Sequence, residues 1–446
     1  MKEQIQLSDH FSYSRLIQFT LPSIAMMVFT SIYSVVDGFF ISNFAGKTAF
    51  ASLNLIWPFL MILGGMGFMV GTGGTALVSQ MLGSGDKERA RGYFSMMVEF
   101  TILLGLVLTA VGLIFMEPIA RFLGATEEMI PDCVLYGRIV ISFNVAFMLQ
   151  NVFQSFLIAA EKPRLGLIAT VGAGVTNMVL DALLVGVFHW GVAGAALATG
   201  LSQTVGGAIP LIFFLKRENG SPLALRFTQL ELSPILNACG NGSSELMSNI
   251  SSSVVSMVYN FQLLSFLGED GVSTYGVIMY VSFIFVAIFI GYTIGASPII
   301  SFHFGAENEG EMQNMFRKSV SLMGILGICM CLSAFFLSGP LSRLFVGYDA
   351  ALCQLTVHAF RIYSFSFLFT GFNFFASSLF TALGNGLVSA AISFLRTLVI
   401  QIACVLVLPR FLDADGLWAA TLAAELISLV VSLSFVLAHR KKYRYF

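Results

Sequence analysis

Apolar runs about 20 residues long recur through this chain, separated by short polar stretches. Wound as an α-helix, a run of that length crosses roughly 30 Å of hydrocarbon and satisfies its backbone hydrogen bonds within itself. Twelve such spans fit: 16–40, 52–78, 93–115, 132–158, 165–188, 191–215, 236–266, 273–302, 318–338, 354–381, 387–408 and 416–438. The reading is an all-α integral membrane protein. The first span runs past the length of a signal-peptide core without a convincing cleavage site, so it reads as retained. Composition excludes the main alternatives. Of the 446 residues 57% are apolar and 11% charged, against roughly 25% charged in an ordinary soluble domain, which rules out a soluble enzyme. A formal net charge of -1 leaves no positive excess to neutralise nucleic acid. The six cysteines lie mostly within apolar runs, without C-x-x-C spacing or histidine partners, and read as packing residues.

Charge and repetition set the topology. With both termini inside, sixteen of the 23 Lys and Arg fall on the cytoplasmic side and only Lys47, Arg121, Arg343 and Arg410 on the other, as the positive-inside rule demands. The chain divides at its most polar long segment, Lys216 to Pro234, giving an N-terminal six-helix lobe (1–215), a linker (216–235) and a C-terminal six-helix lobe (236–446). A shift of about 222 to 225 residues superimposes the halves: Gly73 falls on Gly295, Ser79 on Ser301, Gly83 on Gly305, and Pro118 and Arg121 on Pro340 and Arg343. Six spans is an even number, so the two copies share one orientation. A parallel repeat implies a pseudo-two-fold axis along the membrane normal, a V-shaped cleft between the lobes, and alternating access by rocking.

Ionisable residues within spans cost several kcal/mol unless they face a partner or a cavity. Asp37, Glu99, Asp181, Glu245, Arg396 and Glu425 stand out. At 1.5 Å per residue, Asp37, Asp181 and Thr199 each sit roughly 12 to 13 Å inward from the same side, on spans 1, 5 and 6. Asn177 shares a helix face with Asp181, four positions earlier. Two carboxylates in a poorly solvated place do not both ionise readily, so one holds a proton or a cation lies between them. The other reading is a polar cluster that locks spans 1, 5 and 6 together. Tyr136 and Gln154 on span 4 line the same lobe or simply pack. Arg396, Glu245 and Glu425 lie near mid-depth in the second lobe, as a neutralised structural pair or as a substrate cavity, with the partner of Arg396 open between the two acids. Glu99 is shallower and reads as snorkelling to the surface.

Several longer motifs carry a resemblance. VVDGFFISNFAG (Val35 to Gly46), QMLGSGDKERAR (Gln80 to Arg91), TNMVLDALLVG (Thr176 to Gly186), YNFQLLSFLGEDG (Tyr259 to Gly271), IGASPIISFHFGAENE (Ile294 to Glu309) and ALGNGLVSAAISFLRT (Ala382 to Thr397) together resemble the multidrug and toxic compound extrusion (MATE) family. The likeness is greatest to the bacterial MepA-like group, with a first-lobe site similar to the DinF-like branch. It implies export of amphipathic, mostly cationic small molecules by antiport against H⁺ or Na⁺, from the inner membrane, by a protein that works as a monomer and needs no other cofactor. It also implies that Asp37, Asn177, Asp181 and Thr199 form an ion-coupling network linked to movement of span 1, where Pro22 offers a bend. The sequence departs from the family after span 4, where IAAEKPR (Ile158 to Arg164) replaces the usual Gly-containing turn, and in span 7, where Ser251 to Ser256 stand in place of the acid of the NorM-like branch. A lipid-linked glycan flippase shares the fold, but such cavities are strongly cationic, and five intramembrane acids against one Arg argue for cationic substrates. No H-E-x-x-H or G-x-S-x-G motif marks an enzyme.

Overall fold

The computed structural model describes residues 5–44, 47–216 and 219–446, with the side chains at 35, 38, 39, 41–44, 47, 48 and 50 outside the description. Of the charges that orient the chain, Lys2 and Arg217 lie outside it, and so does the side chain of Lys47. The described chain is helical: α1 (Tyr13–Phe44), α2 (Lys47–Gly83), α3 (Lys87–Phe122), α4 (Ile130–Ser142), α5 (Asn144–Ala159), α6 (Pro163–Leu180), α7 (Gly191–Leu215), α8 (Leu232–Gly305), α9 (Glu309–Val346), α10 (Ala350–Ser364), α11 (Phe367–Ala382), α12 (Gly386–Phe394), α13 (Gln401–Val407) and α14 (Pro409–Tyr443). Nine helical stretches are long and apolar enough to cross a membrane, and two bent pairs, α4 with α5 and α10 with α11, act as single spans, which makes eleven. The 74-residue α8 supplies the twelfth, because Gly268 divides it into two arms. Its φ of 63° and ψ of -149° belong to a region essentially reserved for glycine.

Which way the side chains face follows from the solvent. On α3 Leu103, Leu106, Val107, Val111, Ile114 and Phe115 are exposed at helical spacing, a stripe for lipid. Polar groups go inside: Asn151 donates to the carbonyl of Gly64 at 3.0 Å, and Tyr292 to Ser319 Oγ at 2.8 Å. The expected spans hold with three differences. Spans 4 and 10 bend by 55° and 47°, near Phe143 and Phe365. Spans 7 and 8 meet at one glycine rather than through a loop. Spans 5 and 11 contain π-helical stretches, Asp181–Val187 and Leu395–Ile400.

The repeat is visible in the backbone. Turns at the end of the molecule that carries both termini use a left-handed residue at equivalent places: Gly85 (φ 88°) matches Glu307 (φ 54°), and Glu161 (φ 59°) matches Gly384 (φ 73°). The IAAEKPR segment therefore keeps the turn that its sequence put in question, with Glu161 in a conformation that costs a non-glycine residue about 1–2 kcal/mol. Across the seam between the halves, equivalent glycines oppose one another. A Cβ on Gly83 would lie 1.9 Å from the Phe302 carbonyl oxygen, and one on Gly305 would lie 2.1 Å from that of Gln80. Similarly a Cβ on Gly73 would lie 1.9 Å from the Ala238 oxygen, and one on Gly295 would lie 3.0 Å from Thr20. Small residues here let α2 press against α8 backbone to backbone, and Gly291 of α8 does the same for α1, where its Cβ would lie 2.5 Å from Ile24 Cα. Gln80 Nε2 adds a 2.9 Å bond across the seam to the Ala382 carbonyl.

Candidate functional site

In the first lobe α1, α4, α6 and α7 converge on one polar cluster. The Asp37 carboxyl on α1 faces Asp181 and Asn177. Asp181 is fully buried and Asn177 nearly so. Tyr136 of α4 points its hydroxyl at Thr199 of α7 and is also within electrostatic reach of both acids. All four residues expected at an ion site are therefore neighbours, and Tyr136 joins them. Among the described residues, neither carboxylate oxygen of Asp181 has a hydrogen bond of ordinary geometry, nor have Asp37 Oδ1, Asn177 Oδ1 or Thr199 Oγ1, although all these atoms are buried. Buried acceptors without donors are costly, and a proton or a cation among them removes the cost.

Local backbone explains the placement. Asp181 opens the π-helical stretch, in which Phe188 N–H donates five residues back to Leu183 O at 2.8 Å. Such wide turns often accompany functional sites because they shift side chains out of α-helical register. A Cβ on Gly174 would meet the Phe29 ring at 2.4 Å and the Tyr33 ring at 2.9 Å, so this glycine brings α1 against α6 one turn before Asn177. Tyr33, one turn before Asp37 and beside it, is a site neighbour that sequence reasoning missed. Its i,i+4 spacing was the available signal. Gln154 on α5 is buried with Oε1 unpartnered, and takes no part in the contacts of this cluster.

The second lobe resolves differently. Arg396 binds Glu425, with Nη2 at 2.8 Å from Oε1 and Nε at 3.1 Å from both oxygens. Asn373 of α11 donates to Glu425 Oε2 at 2.7 Å and to its carbonyl at 2.9 Å, Ser432 donates to Asn373 Oδ1 at 2.9 Å, and the guanidinium lies 4.0 Å from the centre of the Phe374 ring. The partner of Arg396 is thus Glu425. Glu245 stands apart on α8, its carboxylate in no hydrogen bond or ion pair among the described residues. A cavity of about 190 Å³ adjoins the pair, lined also by Ser252, Tyr275, Tyr363 and Gln401. Glu99 accepts from the Thr228 backbone at 3.3 Å, tying α3 to the linker rather than snorkelling freely. Among the described residues no group of three or more His, Cys, Asp or Glu gathers as a metal centre would need.

Comparison with known proteins places this architecture. The MatE family model matches residues 22–183 and again 245–407. The chain belongs to the MatE family. The two matched segments start 223 residues apart, which is the repeat read from the sequence. Multidrug export protein MepA of Staphylococcus aureus (strain NCTC 8325 / PS 47) is 23% identical over 425 residues, covering 94% of this chain and 93% of its own. MepA of Staphylococcus saprophyticus is 22% identical, covering 95% and 93%. Among solved structures, the outward-facing conformation of a multidrug resistance MATE family transporter of the MOP superfamily superposes with a TM-score of 0.93 at 19% identity, over 100% of both chains. This MatE protein is accordingly a multi-pass membrane protein with two lobes, of a family of transporters rather than enzymes.

Proposed function

We propose that this MatE protein is a secondary active multidrug efflux transporter that exchanges amphipathic, mostly cationic compounds for H⁺ or Na⁺ by alternating access. One observation carries the reading: two carboxylates, Asp37 and Asp181, face each other in a buried cluster whose oxygens find no hydrogen-bond partner among the described residues. They sit on different helices, so filling or emptying the site changes how α1 packs on α6. The lobes are 1–215 and 236–446, joined by the linker 216–235, and the protein works as a monomer in the plasma membrane. The end that carries the termini faces the cytoplasm, by the excess of Lys and Arg there. The MepA relatives, named as multidrug export proteins, support the substrate class. Neutralisation of Arg396 by Glu425 weighs against a cavity built for the anionic pyrophosphate of a lipid-linked glycan. The test is dye efflux from proteoliposomes under an imposed pH gradient and, separately, a Na⁺ gradient. Efflux under one of them identifies the ion. Retention under both removes the antiport reading in favour of a flippase.

A further inference from the structure

Ahead of α1 lies a segment that belongs in sequence to the first lobe and in space to the second. Residues 5–12 alternate exposed positions with Leu7 and Phe11, which are 1% and 0% exposed and pack in the apolar core shared with Ile300, Met312 and Met315 of the second lobe. Polar bonds fix the same segment. Phe11 N–H donates to Glu311 Oε1 at 2.9 Å, and the Phe11 carbonyl accepts from Asn314 Nδ2 at 3.0 Å and Lys318 Nζ at 2.5 Å. His10 Nδ1 lies 2.7 Å from Glu311 Oε2. Glu311, Asn314 and Lys318 share one face of α9 at helical spacing, so they grip the segment as a unit. At its other end the segment is tied to the first lobe, where Leu7 N–H donates to Glu161 Oε1 at 2.9 Å.

We infer that residues 5–12 are a strap that locks the two lobes together at the terminal end, with Glu311 as its keeper, and that the strap must leave Glu311 before that end can open. The inference rests on the alternating-access reading above. The strap holds Glu161 of one lobe and Glu311 of the other at once and runs directly into α1 of the first lobe, next to the seam where Gly83 and Gly305 bring α2 and α8 into backbone contact. Parting the lobes there stretches a segment that has about 3.3–3.6 Å of reach per residue and is held at both ends. Nor is release cheap: it takes the Phe11 and His10 contacts from the Glu311 carboxylate, leaving it Asn314 alone, and withdraws two apolar side chains from a core.

A cysteine at Ala238 reads the state of this end. Its side chain is 1% exposed and packs across the seam on the first-lobe core with Val70 and Val78. In a background lacking the six native cysteines, with Ala238→Cys and the protein in lipid nanodiscs, the rate of modification by a hydrophilic maleimide is measured. Glu311→Ala and, independently, Leu7→Ala at the far end of the strap are each expected to raise that rate at least tenfold. Glu311→Gln, which keeps an acceptor for Phe11, should raise it less. Monodisperse elution certifies folding, and if Glu311→Ala does not fold, Leu7→Ala and Lys318→Met decide. Rates equal to the parent in these variants overturn the strap. The same label in proteoliposomes tests the underlying reading separately. If an imposed ion gradient changes the parent's rate while the strap variants do nothing, rocking stands and the strap fails; if the variants respond and the gradient has no effect, the strap stands and ion coupling fails.

Discussion

Asp37 and Asp181 face each other in one polar cluster, and under the proposed antiport a side chain that cannot ionise breaks the cycle. Asp37→Asn and Asp181→Asn are each expected to reduce gradient-driven efflux to the level of empty liposomes, at matched reconstitution and with unchanged elution. Normal efflux by either variant would remove the coupling assignment. Asn177→Ala and Thr199→Ala remove neutral oxygens worth about 1 kcal/mol each, so a roughly fivefold loss is expected from initial rates. Arg396 is a different case. Its side chain and that of Glu425 are 10% and 9% exposed, and removing one partner of such a pair costs about 3–5 kcal/mol. Arg396→Ala should therefore lower folded yield more than transport per folded molecule. Adding Glu425→Gln should recover yield, and adding Glu245→Gln should not. The opposite pattern would show that the ion pair is not what stabilises this lobe.

Helices in this protein are placed by what they lack as much as by what they carry. Gly83 has no room for a side chain, since a Cβ there would sit 1.9 Å from the Phe302 oxygen. Gly83→Val should hold α2 and α8 apart and shift the terminal end toward its open form. Spin labels flanking the seam on α2 and α8 would report a longer distance in the variant; an unchanged distribution would mean that the glycine contact does not set closure. Twelve spans were legible because hydrocarbon demands length and apolarity, both local properties. The bends near Phe143 and Phe365 and the π-helical start at Asp181 were not, because no proline or glycine marks them. They answer to neighbours in space, such as Gly194 of α7, whose Cβ would lie 3.1 Å from Leu184 in the π-helical stretch.

Two lobes related by a parallel repeat should move as bodies about the seam. A short bismaleimide linking Gln80→Cys on α2 to Leu383→Cys beyond α11, next to the Gln80 bond to Ala382, is expected to stop efflux in a cysteine-free background. The control is either single variant treated alike. Continued transport by fully cross-linked protein would mean that the terminal end need not open, and rocking would have to be abandoned.

The sequence by itself determined the all-helical class, the twelve spans and the internal repeat, and counting of depth singled out Asp37, Asn177, Asp181 and Thr199 as one group. Those properties depend on hydropathy, spacing and depth, and depth is simply residue count times 1.5 Å. Azimuth around each helix is another matter. Counting along spans 7, 11 and 12 set Glu245, Arg396 and Glu425 at similar depth, and only packing of α11, the π-helical stretch before α13, and α14 decided that Arg396 meets Glu425. The polar grip of Glu311 on Phe11 and the tie between Leu7 and Glu161 were equally invisible. Each joins residues whose contact depends on how separate helices and a terminal segment come together, and local sequence periodicity holds no term for that.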